Sequence, residues 1–240
     1  MTTTAEVALS YQMALRNQLD VTANNIANMS TSGFQGSQPL FAEFLVEIDS
    51  DGNEISYVED SGTLRNTAPG PLNATGNQLD IGLQGEGYFV VESAGEFLYT
   101  RNGSFRLDDS GRLTTSGGNA VLDDRDNPIV VSPGETFISI SRDGVVRTEN
   151  GEIGRLRIVT FANQQDMELL GNSLLRTNQV PIDAAGTEVV QGMLEGSNVI
   201  AITEMTRMID LLRSYQSANQ LITSDEDRQE QAIDILTRIV

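Results

Sequence analysis

"ANNIANMSTSGF", residues 23–34, sets three asparagines within five positions (Asn24, Asn25 and Asn28) in a run that keeps a helical rhythm as far as Gly33. Asparagine is a mediocre helix former, because its amide competes for nearby backbone groups. Back toward the N-terminus, Ala8, Gln12, Leu15, Leu19, Thr22, Ile26 and Met29 recur at alternating steps of four and three. That is the 3.5-residue seam of a coiled coil. Thr3 and Glu6 fit a capping box. Gly33 fits the left-handed residue that closes a helix, with Phe34 placed to fold back on the last turn. Asn24 and Asn28 lie away from Ile26, and Asn25 flanks the seam. Ala23 and Ala27 stand beside them, and no charge falls between Val21 and Gly33. A far side that is small and amide-bearing predicts a helix packed on more than one side by other subunits, with amides fixing the register.

The last forty residues repeat the signal. Ala201, Met205, Met208, Leu212, Tyr215, Asn219, Ile222, Glu226, Gln229, Ile233, Leu236 and Val240 keep the same alternation. Gly196, Ser197 and Asn198 supply a break and an N-cap before it. "TSDED" (223–227) is a weak point where the helix is expected to bend. Between the two ends the period changes. "YFVV" (88–91), "FLYT" (97–100), "SFRL" (104–107), "IVV" (129–131), "FISIS" (137–141) and "RLRIVTF" (155–161) are short runs of strand formers. Asn102-Gly103, Asp108 to Gly111, Gly117-Gly118 and Asp143-Gly144 divide them, which predicts antiparallel hairpins. Residues 35–75 read as an extended connector with a strand near Phe41 to Ile48, and 162–195 as mixed strand and loop.

The expected fold is therefore α+β. An antiparallel β-rich central domain is flanked by N- and C-terminal coiled-coil-type helices that pair with each other and with neighbouring subunits. The expected division is 1–34 helix, 35–75 connector, 76–195 β domain and 196–240 helix.

Composition narrows the chemistry. The 240 residues carry a net charge of −19, and all 15 basic residues are arginine. Such a surface repels phosphate backbones and anionic membranes, so no nucleic acid is expected as a partner. No apolar run is long enough for membrane insertion, and the first ten residues lack the basic and apolar regions of a secretion signal. With no cysteine, histidine or tryptophan, disulfides, Cys/His zinc sites, thiol nucleophiles and His-based triads are excluded within the chain. Asp49 to Asn53 with Asp60 faintly follows a calcium loop, but Glu54 stands where that loop needs glycine. Asp60-Ser61-Gly62 and Asp109-Ser110-Gly111 read as turns, not as the paired turns of an aspartic protease. Gly85-Glu86-Gly87 lacks the rest of a dinucleotide fingerprint. No catalytic site and no cofactor are expected.

Four ordered stretches carry a resemblance. "LDVTANNIANMSTSGF" (19–34) resembles the N-terminal motif of the flagellar axial proteins, which comprise basal-body rod, hook and hook-associated proteins. "NQLDIGLQGEGYFVV" (77–91) and "YTRNGSFRLDDSGRLTTSGGNAVLD" (99–123) look like that family's β-domain core. "QGMLEGSNVIAITEMTRMIDLLRSYQSANQLI" (191–222) looks like its C-terminal helix. "QMALRNQLDVTANNIAN" (12–28) and "QGMLEGSNV" (191–199) are more similar to the F type of the proximal rod than to the G type of the distal rod. The chain departs at Gln35, where relatives usually carry Lys, and in its first ten residues.

The resemblance implies a structural subunit of the periplasmic rod, exported through the flagellar type III apparatus without a cleavable signal peptide. Its partners would be copies of itself and other rod proteins, distal and proximal. Its terminal helices would form the inner tube and its β domain an outer layer. The assembly interface is expected at Leu15, Leu19, Asn24, Asn25, Ile26, Asn28, Gly33, Phe34, Met205, Met208, Leu212, Tyr215, Asn219, Ile222, Ile233 and Leu236. Two readings of other classes stand beside this one. One is a periplasmic module whose β domain grips peptidoglycan or a chaperone. The other is a glycan hydrolase using an acid pair such as Glu86 and Asp108.

Overall fold

The computed structural model describes residues 2–47, 54–135 and 137–238. The chain divides into two compact units. One comprises residues 1–27, 37–65 and 200–240, and the other residues 28–36 and 66–199.

The helical unit holds α1 (Thr2–Ala27), β1 (Ser37–Glu47), β2 (Glu54–Arg65) and α2 (Ala201–Arg238). The connector expected at 35–75 is thus largely a long hairpin, with β1 and β2 antiparallel from Ser37↔Arg65 to Glu47↔Glu54 and a bulge at Leu40/Phe41. Both strands are edges, which is why Pro39 fits within β1. Helix α1 ends at Ala27, six residues before Gly33, because Asn28 and Thr31 form a turn: the Thr31 N–H donates to the Asn28 carbonyl at 3.1 Å. The side chain of Thr3 lies outside the described residues. Its expected partner Glu6 accepts the Tyr57 hydroxyl at 3.2 Å. Helix α2 runs unbroken through 223–227, where a bend was expected, and there Asp225 is bonded by Arg228 and Gln229. At ~1.5 Å per residue it is about 57 Å long.

The β unit runs β3 (Leu72–Ala74), β4 (Ile81–Gln84), β5 (Tyr88–Ser93), β6 (Glu96–Thr100), β7 (Phe105–Leu107), β8 (Leu113–Thr115), β9 (Ala120–Val121), β10 (Ser139–Ile140), β11 (Val145–Thr148), β12 (Gly151–Arg155), β13 (Ile158–Thr160), β14 (Glu168–Gly171), β15 (Leu174–Arg176), β16 (Ile182–Asp183), β17 (Glu188–Gln191) and β18 (Met193–Glu195). Its largest sheet has the order β14-β15-β6-β5-β9-β8-β7, with β13 joining β5 to β16. Smaller sheets pair β10-β11-β12, β17-β4 and β18-β3, and the pairings are antiparallel. "IVV" (129–131) forms only an isolated bridge, Arg112↔Val130. Strand β5 explains its continuous apolar run by being buried on both faces. Phe89 and Val91 enter one core with Ile81, Leu83, Phe105 and Val121, whereas Tyr88 and Val90 enter a second with Tyr99, Leu122, Val159 and Phe161. Phe89 meets Phe105 edge-on at 5.2 Å, and Tyr99 meets Phe161 at 4.7 Å.

Candidate assembly interface

The two helices of the helical unit pack on each other through a small cluster: Leu15, Leu211 and Ala218 are buried, with Leu19 and Tyr215 half-buried against them. On α1 the covered stripe follows the seam read from the sequence, with Leu15 and Thr22 buried and Leu19 and Ile26 half-buried. On α2 the stripe is turned by one residue at alternate positions. Glu204, Leu211, Ala218 and Asp225 are buried, and Met208, Tyr215 and Ile222 lie half-buried between them. Met205 and Leu212, expected on the seam facing α1, are exposed instead, whereas Asn219, though exposed, accepts from Gln12 Nε2 of α1 at 3.4 Å. The small Ala218 permits close approach, and the polar Glu204 is matched by a partner on α1.

That partner is Asn25, 4% exposed. Its Nδ2 donates to the Ser37 carbonyl at 2.8 Å and to Glu204 Oε2 at 3.1 Å, while its Oδ1 accepts the Ser37 N–H at 2.9 Å. Arg207 pairs with the other oxygen of Glu204 at 3.2 Å. One amide therefore ties the end of α1 to the start of β1 and the first turn of α2. The three asparagines have separate roles. Asn24 faces outward, and Asn28 Oδ1 accepts the Thr31 hydroxyl at 3.1 Å in the turn.

Displacing the stripe leaves a second one. Ile202, Met205, Ile209 and Leu212 repeat at steps of three, four and three, and between 44% and 80% of each is exposed. They form an apolar face beside the one that meets α1. Ile233 is also exposed. The side chain of Leu236, together with Val240, lies outside the described residues, as does the segment Asp49 to Asn53.

Gly33 and Phe34 belong to the β unit. Gly33 has φ +67° and a Cβ there would stand 2.5 Å from the Arg101 carbonyl carbon. Its N–H donates to the Glu195 carbonyl at 2.8 Å. Phe34 is buried, and its carbonyl accepts the Asn198 N–H at 3.3 Å. Arg101 and Glu195, which the sequence reading did not single out, are 3% and 2% exposed and paired at 2.7 Å. Arg101 also donates to the Gly85 and Gly87 carbonyls at 2.9 and 2.8 Å, and Glu195 accepts the Gly70 N–H at 2.9 Å. Asn198 is not the cap of α2. Its Oδ1 accepts the Gly36 N–H, and its Nδ2 donates to the Asn66 and Ala68 carbonyls, each at 2.8 Å.

Of the acid pair considered for hydrolysis, Glu86 is exposed. Asp108 accepts the Arg112 and Ser110 N–H groups and the Arg112 guanidinium, and these hold its carboxyl below the usual range. That is the wrong direction for a proton donor. Among the described residues no cluster of His, Cys, Asp or Glu suits a metal, and no helix is long and apolar enough to cross a membrane.

Comparison with known proteins gives one answer along the whole chain. Residues 6–35 match the family model described as flagella basal body rod protein, residues 82–148 the flagellar hook protein FlgE/F/G D1 domain, and residues 190–235 the flagellar basal body rod FlgEFG protein C-terminal. Flagellar basal-body rod protein FlgF of Caulobacter vibrioides is 33% identical over 239 residues, covering 97% of each chain. The chain belongs to the flagellar basal-body rod protein family. This rod subunit is similar to FlgF of Rhizobium meliloti at 33% identity over 98% of each chain. It is also similar to FlgG of Bacillus subtilis, at 33% identity over 90% of this chain and 92% of that one. Membership makes it a structural component of the rod of the bacterial flagellar basal body.

Proposed function

We propose that the chain is a subunit of the proximal rod that polymerises through its terminal helices into the hollow, torque-carrying shaft across the periplasm. The carrying observation is the exposed stripe Ile202, Met205, Ile209 and Leu212 on a helix whose neighbouring stripe is already covered by α1. A helix with two adjacent heptad seams suits a bundle of more than two helices. Covering four such half-exposed side chains is worth roughly 3–6 kcal/mol. The small cluster around Leu15, Leu211 and Ala218 gives the helical unit little to stand on alone, so neighbours complete it. The proximal position follows the F-type relatives, which align over nearly the whole chain. Partners are further copies of the chain and other proximal- and distal-rod proteins. Export proceeds through the flagellar type III apparatus. The proposed interface keeps Leu15, Leu19, Asn24, Asn25, Ile26, Asn28, Met205, Met208, Leu212, Tyr215, Asn219, Ile222, Ile233 and Leu236, and adds Ile202 and Ile209. Gly33 and Phe34 shape the β unit.

Deletion of residues 225–240 tests this reading. The shortened chain should be exported and keep a folded β unit, yet be missing from purified basal bodies. Its presence there at the full-length level would overturn the reading.

A further inference from the structure

The backbone passes between the two units at four links: 27/28, 36/37, 65/66 and 199/200. On each side of these links one asparagine spends three hydrogen bonds on the crossing segments. In the β unit Asn198, just before the last link, accepts from Gly36 at the second and donates to Asn66 and Ala68 at the third. The Asn66 N–H closes the ring on the Gly36 carbonyl at 2.7 Å. In the helical unit Asn25, just before the first link, holds both backbone groups of Ser37 at the second and Glu204 beyond the last. Ser37 in turn is paired with Arg65 at the third.

We propose that Asn198 and Asn25 are load-sharing clasps. Each fastens the crossing segments of its own unit together, so that force arriving along one link is distributed to the others before it reaches a core. An amide suits the task because it accepts and donates twice from one rigid plane. A carboxylate of the same shape has no donor. Force applied in shear to several hydrogen bonds at once meets them together, whereas force on a single link would peel the segment from its unit bond by bond. What the clasps are for rests on the reading of the chain as a torque-carrying subunit. Their mechanical effect belongs to the single molecule and can be measured without assembly.

The chain has no cysteine, so Ser61→Cys and Ser110→Cys place one handle in the hairpin and one on an exposed turn of the β unit. Pulling between them in an optical trap loads the 36/37 and 65/66 links. The full chain should hold until the β unit unfolds in one event. With Asn198→Asp added, an earlier event at lower force should release residues 28–36 and 66–71. The zero-force lifetime of the clasped state should shorten at least about tenfold, as expected for losing two donated bonds. A core variant, Val159→Ala, with a comparable loss of thermal midpoint should show no early event. The proposal is overturned if Asn198→Asp behaves like that control, or keeps the single event at the original force. Asn198→Ser, which retains one donor and one acceptor, replaces the first variant if that one leaves the β unit unfolded. Unfolding of both also overturns the proposal, because a clasp bears load and is not required for the core. Intact clasping in this assay would stand even if the helices proved not to polymerise.

Discussion

The buried Arg101–Glu195 pair shows how far a single side chain reaches in this molecule. Both charges are almost fully enclosed, and Arg101 Nη1 also donates to the Gly85 and Gly87 carbonyls while Glu195 accepts the Gly70 N–H. Removing one partner strands the other, a situation that costs about 3–5 kcal/mol. Arg101→Met should therefore lower the stability of the β unit by that amount in urea unfolding; a change under about 1 kcal/mol would contradict the assignment. Gly33→Ala should cost at least ~1–2 kcal/mol for the left-handed backbone alone, before the contact with Arg101 is counted. At Asp108 hydrogen bonds from Arg112 lead the depression of the carboxyl. Its stabilising effect is full above the unfolded value of about 3.9 and is lost as pH falls through the lower folded value. Asp108→Asn should flatten the acid limb of stability measured by circular dichroism. Little of this was legible beforehand. Arg101 reads as the charge before an Asn-Gly turn and Glu195 as a strand end. Their meeting depends on segments 94 residues apart, which no local pattern encodes.

At the scale of elements, the register of α2 is the instructive case. Two stripes share Ala201, Met208, Tyr215 and Ile222 and differ only in taking 204, 211 and 218 or 205, 212 and 219. Periodicity alone does not choose between them, because each set has two apolar residues of three: Leu211 and Ala218 beside Glu204, Met205 and Leu212 beside Asn219. The structure selects the first, since Asn25 satisfies Glu204 and Ala218 leaves room for α1. Met205 and Leu212 are left to the exposed stripe, with Ile202 and Ile209. Adjacent leucines separate their roles. Leu211→Ala should loosen the α1–α2 pairing, at the lower end of the 2–5 kcal/mol range for such truncations. Leu212→Ala should leave the isolated chain within about 0.5 kcal/mol while weakening assembly. Of the hairpin of β1 and β2 only a strand near Phe41 to Ile48 was legible, which β1 bears out; β2 was read as connector, because a two-stranded ribbon with edges on both sides imposes no clean alternation of apolar and polar residues. The hairpins β7–β8, β8–β9 and β10–β11 were legible through Asp108 to Gly111, Gly117-Gly118 and Asp143-Gly144, whereas Asn102-Gly103 joins β6 to β7, which do not pair, and 129–131 pairs too briefly to become a strand.

For the whole molecule, two units of unequal self-sufficiency are joined in one chain. The β unit has two extensive cores and should fold alone, whereas the helical unit has a small one and, on the proposed assembly, should gain stability from neighbours. Limited proteolysis of the isolated chain should trim residues near 1–27 and 200–238 and spare 66–199. Uniform resistance would count against this division. The net charge of −19 opposes association of like subunits, so added salt should promote polymerisation by screening it, as read by light scattering. The most direct measurement is the recovery of a doubly substituted chain, Ile209→Asp with Leu212→Asp, in basal bodies purified from motile cells. Both positions are exposed in the single chain, so the variant should be exported and its β unit should unfold at the usual urea concentration. It should be missing from the rod. Incorporation at the level of the unaltered chain would contradict this.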